Sequence, residues 1–141
     1  MLKYPRMQYA TSTQRAVALL IDIIISLIWF IVPISLGITL YQNYGIELPK
    51  LLPLFLFLCI PIYFIYTPYK FGKTLGMKVM KIKIVNLSNK SIAFWQSIVR
   101  YLISITISCA VVCLGYIWIF FSKKKQTWHD MIAKTLVIKV K

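Results

Sequence analysis

Residues 16–40 read AVALLIDIIISLIWFIVPISLGITL, a run of about 25 residues in which Asp22 is the single charge. As a helix this stretch is roughly 37 Å long, enough to cross the hydrocarbon of a bilayer with some tilt. The run is too long for a signal-peptide core and no small-x-small site closes it, so it is expected to stay as a transmembrane helix over about residues 15–40. A second apolar run, LLPLFLFLCIPIYFIYT at 51–67, is near the lower limit for a span, and Pro53 and Pro61 are expected to kink it. With 60% hydrophobic residues and a mean hydropathy of +0.76, the chain lies well above the apolar share of a soluble domain. Its net charge of +14 would otherwise point to nucleic acid. The long uninterrupted apolar runs point instead to basic segments lying against an anionic leaflet.

Residues 68–90 differ in kind. They carry Lys70, Lys73, Lys78, Lys81, Lys83 and Lys90, and in MKIKIV the apolar Met80, Ile82 and Ile84 alternate with lysines, which is strand periodicity. The closing TLVIKVK alternates too, with Leu136, Ile138 and Val140 set against Val137, Lys139 and Lys141. Two such strands are expected to pair, since neither is stable alone. That pairing places both Lys-rich stretches on one side of the membrane. The positive-inside rule makes it the inner side and puts the N-terminus, with Lys3, Arg6 and Arg15, there as well. The third apolar region, 91–121, must then enter and leave on one face. At 31 residues it is too short for two full spans. The expectation is a buried or re-entrant helical hairpin, with a helix from about Ile92 to Val112, a break near Gly115 and a return through YIWIFF. A single crossing with a translocated basic tail is the alternative. A short helix and strand follow over 126–140. The fold class expected is an all-α integral membrane protein with two transmembrane helices, that hairpin and a small cytoplasmic two-stranded β element, all in one domain.

On the first helix Asp22 shares a face with Arg15, Ala18, Ser26 and Trp29. A carboxylate at that depth is costly unless paired or protonated, so this stripe is expected to face protein. The third helix offers a matching stripe of Gln96, Arg100, Ser104 and Ser108, which makes Arg100 the expected partner of Asp22. Arg15 lies about 10 Å from Asp22 along the helix axis. TWHDMIAKT holds the chain's one histidine, His129, beside Asp130. No zinc or triad motif accompanies them, and a short interfacial helix whose Asp130 meets an arginine or lysine is the plainer reading. GKT at 72–74 resembles the end of a phosphate loop, but the glycine that loop requires is replaced by Thr67. Gly72 and Gly76 read better as a turn and a close-packing pair. Cys59, Cys109 and Cys113 all sit in apolar runs and read as small packing residues. No metal, cofactor or enzymatic constellation is expected.

Taken together these segments resemble the RDD family of small bacterial membrane proteins, over about residues 11–140. QRAVALLIDIII supplies an arginine opening the first helix and an aspartate within it, Arg15 and Asp22. TWHDMIAKTLVI supplies the closing aspartate, Asp130; GKTLGMKVMKIKIV resembles the family's Gly-x-Thr-x-Gly segment; and Arg100 falls where a recurrent arginine is expected. Lys134 departs from the glycine more common in the family before Thr135, which puts a tight turn there in question. The resemblance implies a multi-pass protein of the bacterial inner membrane, with transport of an unidentified ligand suggested for the family and monovalent cation/proton antiport put forward for some members. Two readings stay open. In one, Asp22 is a titrating transport site tuned by Arg15 and Arg100, with Asp130 near the cytoplasmic mouth and Ser26, Ser104 and His129 as secondary groups. In the other, these residues form a structural network in an accessory or assembly protein. So few helices hardly enclose a pathway, so either reading calls for a homo-oligomer or a partner membrane protein.

Overall fold

A computed structural model describes residues 8–110 and 126–140. The chain is mostly helical. In order it forms α1 (Ser12–Tyr44), α2 (Leu52–Phe71), α3 (Leu75–Val79), β1 (Ile82–Asn86), α4 (Phe94–Ala110), α5 (Trp128–Ile132) and β2 (Thr135–Lys139). Helices α1 and α2 are each long and apolar enough to cross a membrane. Leu20, Ile24, Ile28 and Ile31 on α1, and Phe55 and Ile62 on α2, are exposed, as the side chains of a lipid-facing surface would be. The expected break and return of the hairpin, around residues 113–121, lies outside the described residues.

Local signals explain the helix ends. Thr11 caps α1 through a reciprocal box: the Gln14 backbone N–H donates to the Thr11 hydroxyl at 3.2 Å, and the Thr11 N–H donates to the Gln14 side chain at 3.1 Å. At the far end Gly45 takes the left-handed conformation (φ 67°) and its N–H reaches back to the Tyr41 carbonyl at 2.9 Å. Helix α2 outruns the expected end at residue 67. Pro68 is carried inside it, and the helix stops when Gly72 turns left-handed (φ 68°). The Gly72 carbonyl then accepts from the Ile84 N–H at 2.6 Å, so this turn also anchors β1.

The two strands pair antiparallel, with Ile84 opposite Val137 at the centre and Ile82 opposite Lys139. Their surroundings repeat. Thr74 precedes α3, Lys81 follows it in the left-handed region (φ 52°), and five strand residues come next. Thr127 precedes α5, Lys134 follows it with φ 54°, and again five strand residues come next. The register pairs the first residue of each strand with the last of the other, so the two threonine–helix–lysine–strand units are related by an approximate two-fold. The turn at Lys134 is therefore made although glycine is absent, at the conformational cost that a left-handed non-glycine residue carries.

Both sheet faces are covered. Ile82, Ile84 and Val137 join Ala10, Ala18 and Ile92 in the main core, while Val85, Leu136 and Ile138 pack with Tyr9 on the other side. In β2 the residue toward the main core is Val137, not Leu136 or Ile138 as simple alternation had it, because the register sets Val137 against Ile84. The segment before α1 explains the second cover. The Ala10 N–H donates to the Val137 carbonyl at 3.0 Å and the Lys139 N–H to the Gln8 carbonyl at 2.9 Å, so residues 8–10 lie along β2 like a third strand.

Helix α3 lies against α1, where Gly76 meets Ala18. A Cβ on Gly76 would overlap the Ala18 carbonyl oxygen and come within 3.0 Å of the Asp22 Cγ. The obstacle is backbone, which cannot swing aside. Gly76→Ala is accordingly expected to destabilise the protein by about 1–3 kcal/mol, seen as a lower denaturation midpoint in detergent micelles than for the unsubstituted chain.

Candidate functional site: two buried aspartates

Asp130 sits in the first turn of α5 and is fully buried. One carboxylate oxygen, Oδ2, receives Arg15 Nη1 from the start of α1 and the Thr127 N–H at 3.3 Å. The other, Oδ1, faces Arg100 Nη1 of α4 at 2.9 Å. One side chain thus holds three helices. His129 is buried beside it, with Nε2 at 2.9 Å from the Thr127 hydroxyl and 3.7 Å from Asp130 Oδ1. Burial alone would raise the Asp130 pKa. The Arg100 charge, then that of Arg15, outweighs burial and holds the carboxyl well below the usual carboxylate range. Burial also acts on His129, lowering its pKa to about 4. Asp130 opposes that shift, and the two arginines reinforce it. His129 is therefore neutral at pH 7.

Asp22 lies two turns deeper in α1 and is 2% exposed. Its partners are all neutral donors. Oδ1 accepts the Tyr63 hydroxyl of α2 at 2.8 Å and the Gly76 N–H at 2.8 Å, and Oδ2 accepts the Thr74 hydroxyl at 2.5 Å. The donors are themselves held. The Tyr63 hydroxyl accepts the Leu75 N–H at 2.9 Å and the Thr74 hydroxyl accepts the Met77 N–H at 3.3 Å. The first turn of α3 is thereby clamped onto Asp22, and through Tyr63 onto α2.

The expected pair of Asp22 and Arg100 is not formed. Arg100 turns to Asp130 instead, beside Arg15, and Asp22 is served by the segment after α2. Ser26 donates to the Asp22 backbone carbonyl at 2.8 Å rather than to the carboxylate. Gln96 reaches the Ala133 carbonyl at 3.0 Å, and Ser104 lines the cavity described below. Tyr63 and Thr74 were missed as site residues. Thr74 stands in the GKTLG segment, and its chemistry as a helix cap was the available signal; for Tyr63, one tyrosine among many in an apolar helix, there was none. Among the described residues no three His, Cys, Asp or Glu side chains gather to hold a metal ion.

Between α1, α2 and α4 runs a cavity of about 870 Å³. Leu19, Leu20, Ile60, Phe64, Tyr101 and Ile105 form its apolar walls, Asp22 also lines it, and Arg15, Arg100, Thr127 and His129 lie at its polar end.

Two apolar helices fit to span a bilayer, the first tied by a buried arginine–aspartate contact to the short helix that leads into a small sheet, define a membrane-type protein. Residues 9–134 match the RDD family, and the chain belongs to that family. It is 37% identical over 76 residues to uncharacterized protein YxaI of Bacillus subtilis (strain 168), a match covering 54% of this chain and 49% of that protein. The alignment thus spans about half the length of that relative. No solved structure matches the chain significantly.

Two outcomes follow from the Asp130 cluster. Asp130→Asn leaves Arg15 and Arg100 facing each other without their counter-charge. It is expected to cost about 3–5 kcal/mol, measured as lost folded protein or a lowered midpoint of denaturation in detergent. The second concerns pH. A histidine with the ordinary value of 6.5 in the unfolded chain titrates at about 4 when folded. Between those values the unfolded state binds the extra proton, so this contribution to stability is complete above pH 6.5 and falls as pH drops towards 4, by up to about 1.4 kcal/mol per unit. The depressed Asp130 carboxyl adds its own loss only below the ordinary value of 3.8. Denaturation midpoints between pH 7 and pH 4.5 are therefore expected to fall in the unsubstituted chain and to fall less in His129→Gln.

Proposed function

We propose that the chain is a non-transporting accessory or assembly module of the bacterial cytoplasmic membrane, in which Arg15, Asp22, Arg100 and Asp130 hold the helices together. One observation carries this reading: the carboxylate of Asp22 is already taken up by three internal hydrogen-bond donors, and that of Asp130 is ion-paired with two arginines. A cation-carrying acid must offer its oxygens to an ion and be reached from water on each side in turn. Asp22 instead accepts from three fixed groups, and two of those are themselves held by backbone N–H donors. Supporting the assembly role, the outer faces of α1 and α2 present large apolar side chains suited to lipid, a second copy or a partner subunit. The lysines after α2 and around the strands favour an orientation with the sheet on the cytoplasmic side, against anionic lipid.

The two readings of Asp22 separate on a pair of substitutions. Asparagine keeps an oxygen for Tyr63 and Gly76 and can donate its amide to the Thr74 hydroxyl; alanine satisfies none of these groups. A structural role predicts that Asp22→Asn retains most of the folded protein while Asp22→Ala loses about 2 kcal/mol or more of stability. It also predicts that proteoliposomes of the unsubstituted chain show no cation-driven pH change above that of empty vesicles. A cation-coupled pH change in those vesicles, abolished by a well-folded Asp22→Asn, would overturn the proposal and restore Asp22 as a working acid.

A further inference from the structure

We infer that the cavity between α1, α2 and α4 is a binding site for an anionic phospholipid, with an acyl chain between the helices and the headgroup at Arg15. The inference goes beyond the assembly role and stands on the cavity alone; the ion-flux result above does not bear on it.

Three observations converge. The first is shape and lining. At about 870 Å³ the cavity is at the upper end of the range for ligand pockets, and its walls are mostly apolar, interrupted by Asp22, Thr74, Ser97 and Ser104 besides the polar end. The second is access. Leu20 on α1 and Ile105 on α4 line the cavity and are also 58% and 51% exposed. The cavity therefore opens sideways between α1 and α4, beside the exposed apolar Ile24 and Leu102, and a molecule in a bilayer around these helices can enter without crossing water. The third is charge. At the polar end two guanidinium groups face one carboxylate, that of Asp130, with His129 neutral, which leaves an excess of one positive charge at that end; Asp22, which also lines the cavity, offsets it over the cavity as a whole. Arg15 is the group with donors to spare. It lines the cavity, and its Nε and Nη2 are buried with no hydrogen-bond partner among the described residues. Buried guanidinium N–H groups without acceptors are costly. A phosphodiester oxygen at this end supplies both acceptor and counter-charge, in the geometry a guanidinium favours. Asp22 does not repel it strongly, being two turns deeper with its oxygens turned onto Tyr63, Thr74 and Gly76.

The test places a photoactivatable residue at Leu19, or separately at Ile60, in the full chain. The protein is reconstituted in vesicles of zwitterionic phospholipid containing one part in five of an anionic phospholipid. Mass spectrometry of the crosslinked product is expected to show phospholipid adducts enriched in the anionic species at least about fivefold over its share of the vesicle. In Arg15→Gln that enrichment is expected to fall towards one. Because Arg15→Gln also removes an ion-pair partner of Asp130, Ile60→Trp, read from the Leu19 position, serves as the second variant. It fills the cavity and leaves the arginines in place, and total lipid adduct at Leu19 is expected to drop several-fold. Adducts with another part of the same chain or with a second copy would mean that protein fills the cavity, and would overturn the inference. So would lipid adducts without headgroup preference, or loss of the adducts on adding millimolar inorganic phosphate, which would mark a site for free anions.

Discussion

Two arginines share one carboxylate that water does not reach. Asp130 sits between Arg15 and Arg100, and by doing so it fixes where α1 and α4 start relative to α5 and the sheet. Removing a charge from water is expensive, and a buried ion pair repays the cost only if its remaining donors and acceptors are also used. Here the α5 turn adds the Thr127 N–H to the carboxylate and the neutral imidazole of His129 fills the space beside it, but Arg15 Nε and Nη2 keep no hydrogen-bond partner among the described residues. The cluster is better understood as setting register than as a source of net stability. It tolerates one arrangement of three helices, and a helix shifted by a turn would strand a guanidinium in an apolar surround.

Asp22 solves the same problem without a cation. Its oxygens are met by two hydroxyls, each positioned by a further hydrogen bond, and by a backbone N–H. The two aspartates thus divide the work. Asp130 joins the helices to the second threonine–helix–strand unit, and Asp22 joins them to the first. Since the two units are related by an approximate two-fold through the sheet, the fold rests on two symmetric feet held by chemically different clamps.

The sequence made some of this readable. Arg15 and Asp22 lie seven residues apart and so share a helix face, and alternation in MKIKIV and TLVIKVK marked the two strands that do pair. Periodicity tells which residues share a face; it does not tell which face meets which, and so Arg100 was matched to the wrong acid. The contacts that decide it are long-range: 52 residues separate Asp22 from Thr74. Helix α2 ran past its expected end because proline discourages a helix without forbidding it, and the glycine at 72 was the real stop. The strand-like pairing of residues 8–10 had no pattern to announce it, since three residues are too few to show a period. The repeat around Thr74 and Thr127 was hidden because the conserved elements are conformations, a capped turn and a left-handed residue, carried by different side chains.

The Arg15–Asp130 contact joins residues 115 positions apart. During synthesis the first helix is made while its partner acid is still missing. Until α5 emerges, the arginine has no carboxylate to meet, and residues 8–10 have no strand to lie along. The locking of α1 is therefore a late event: α2, α3, β1 and α4 are all made before the acid that holds its first turn.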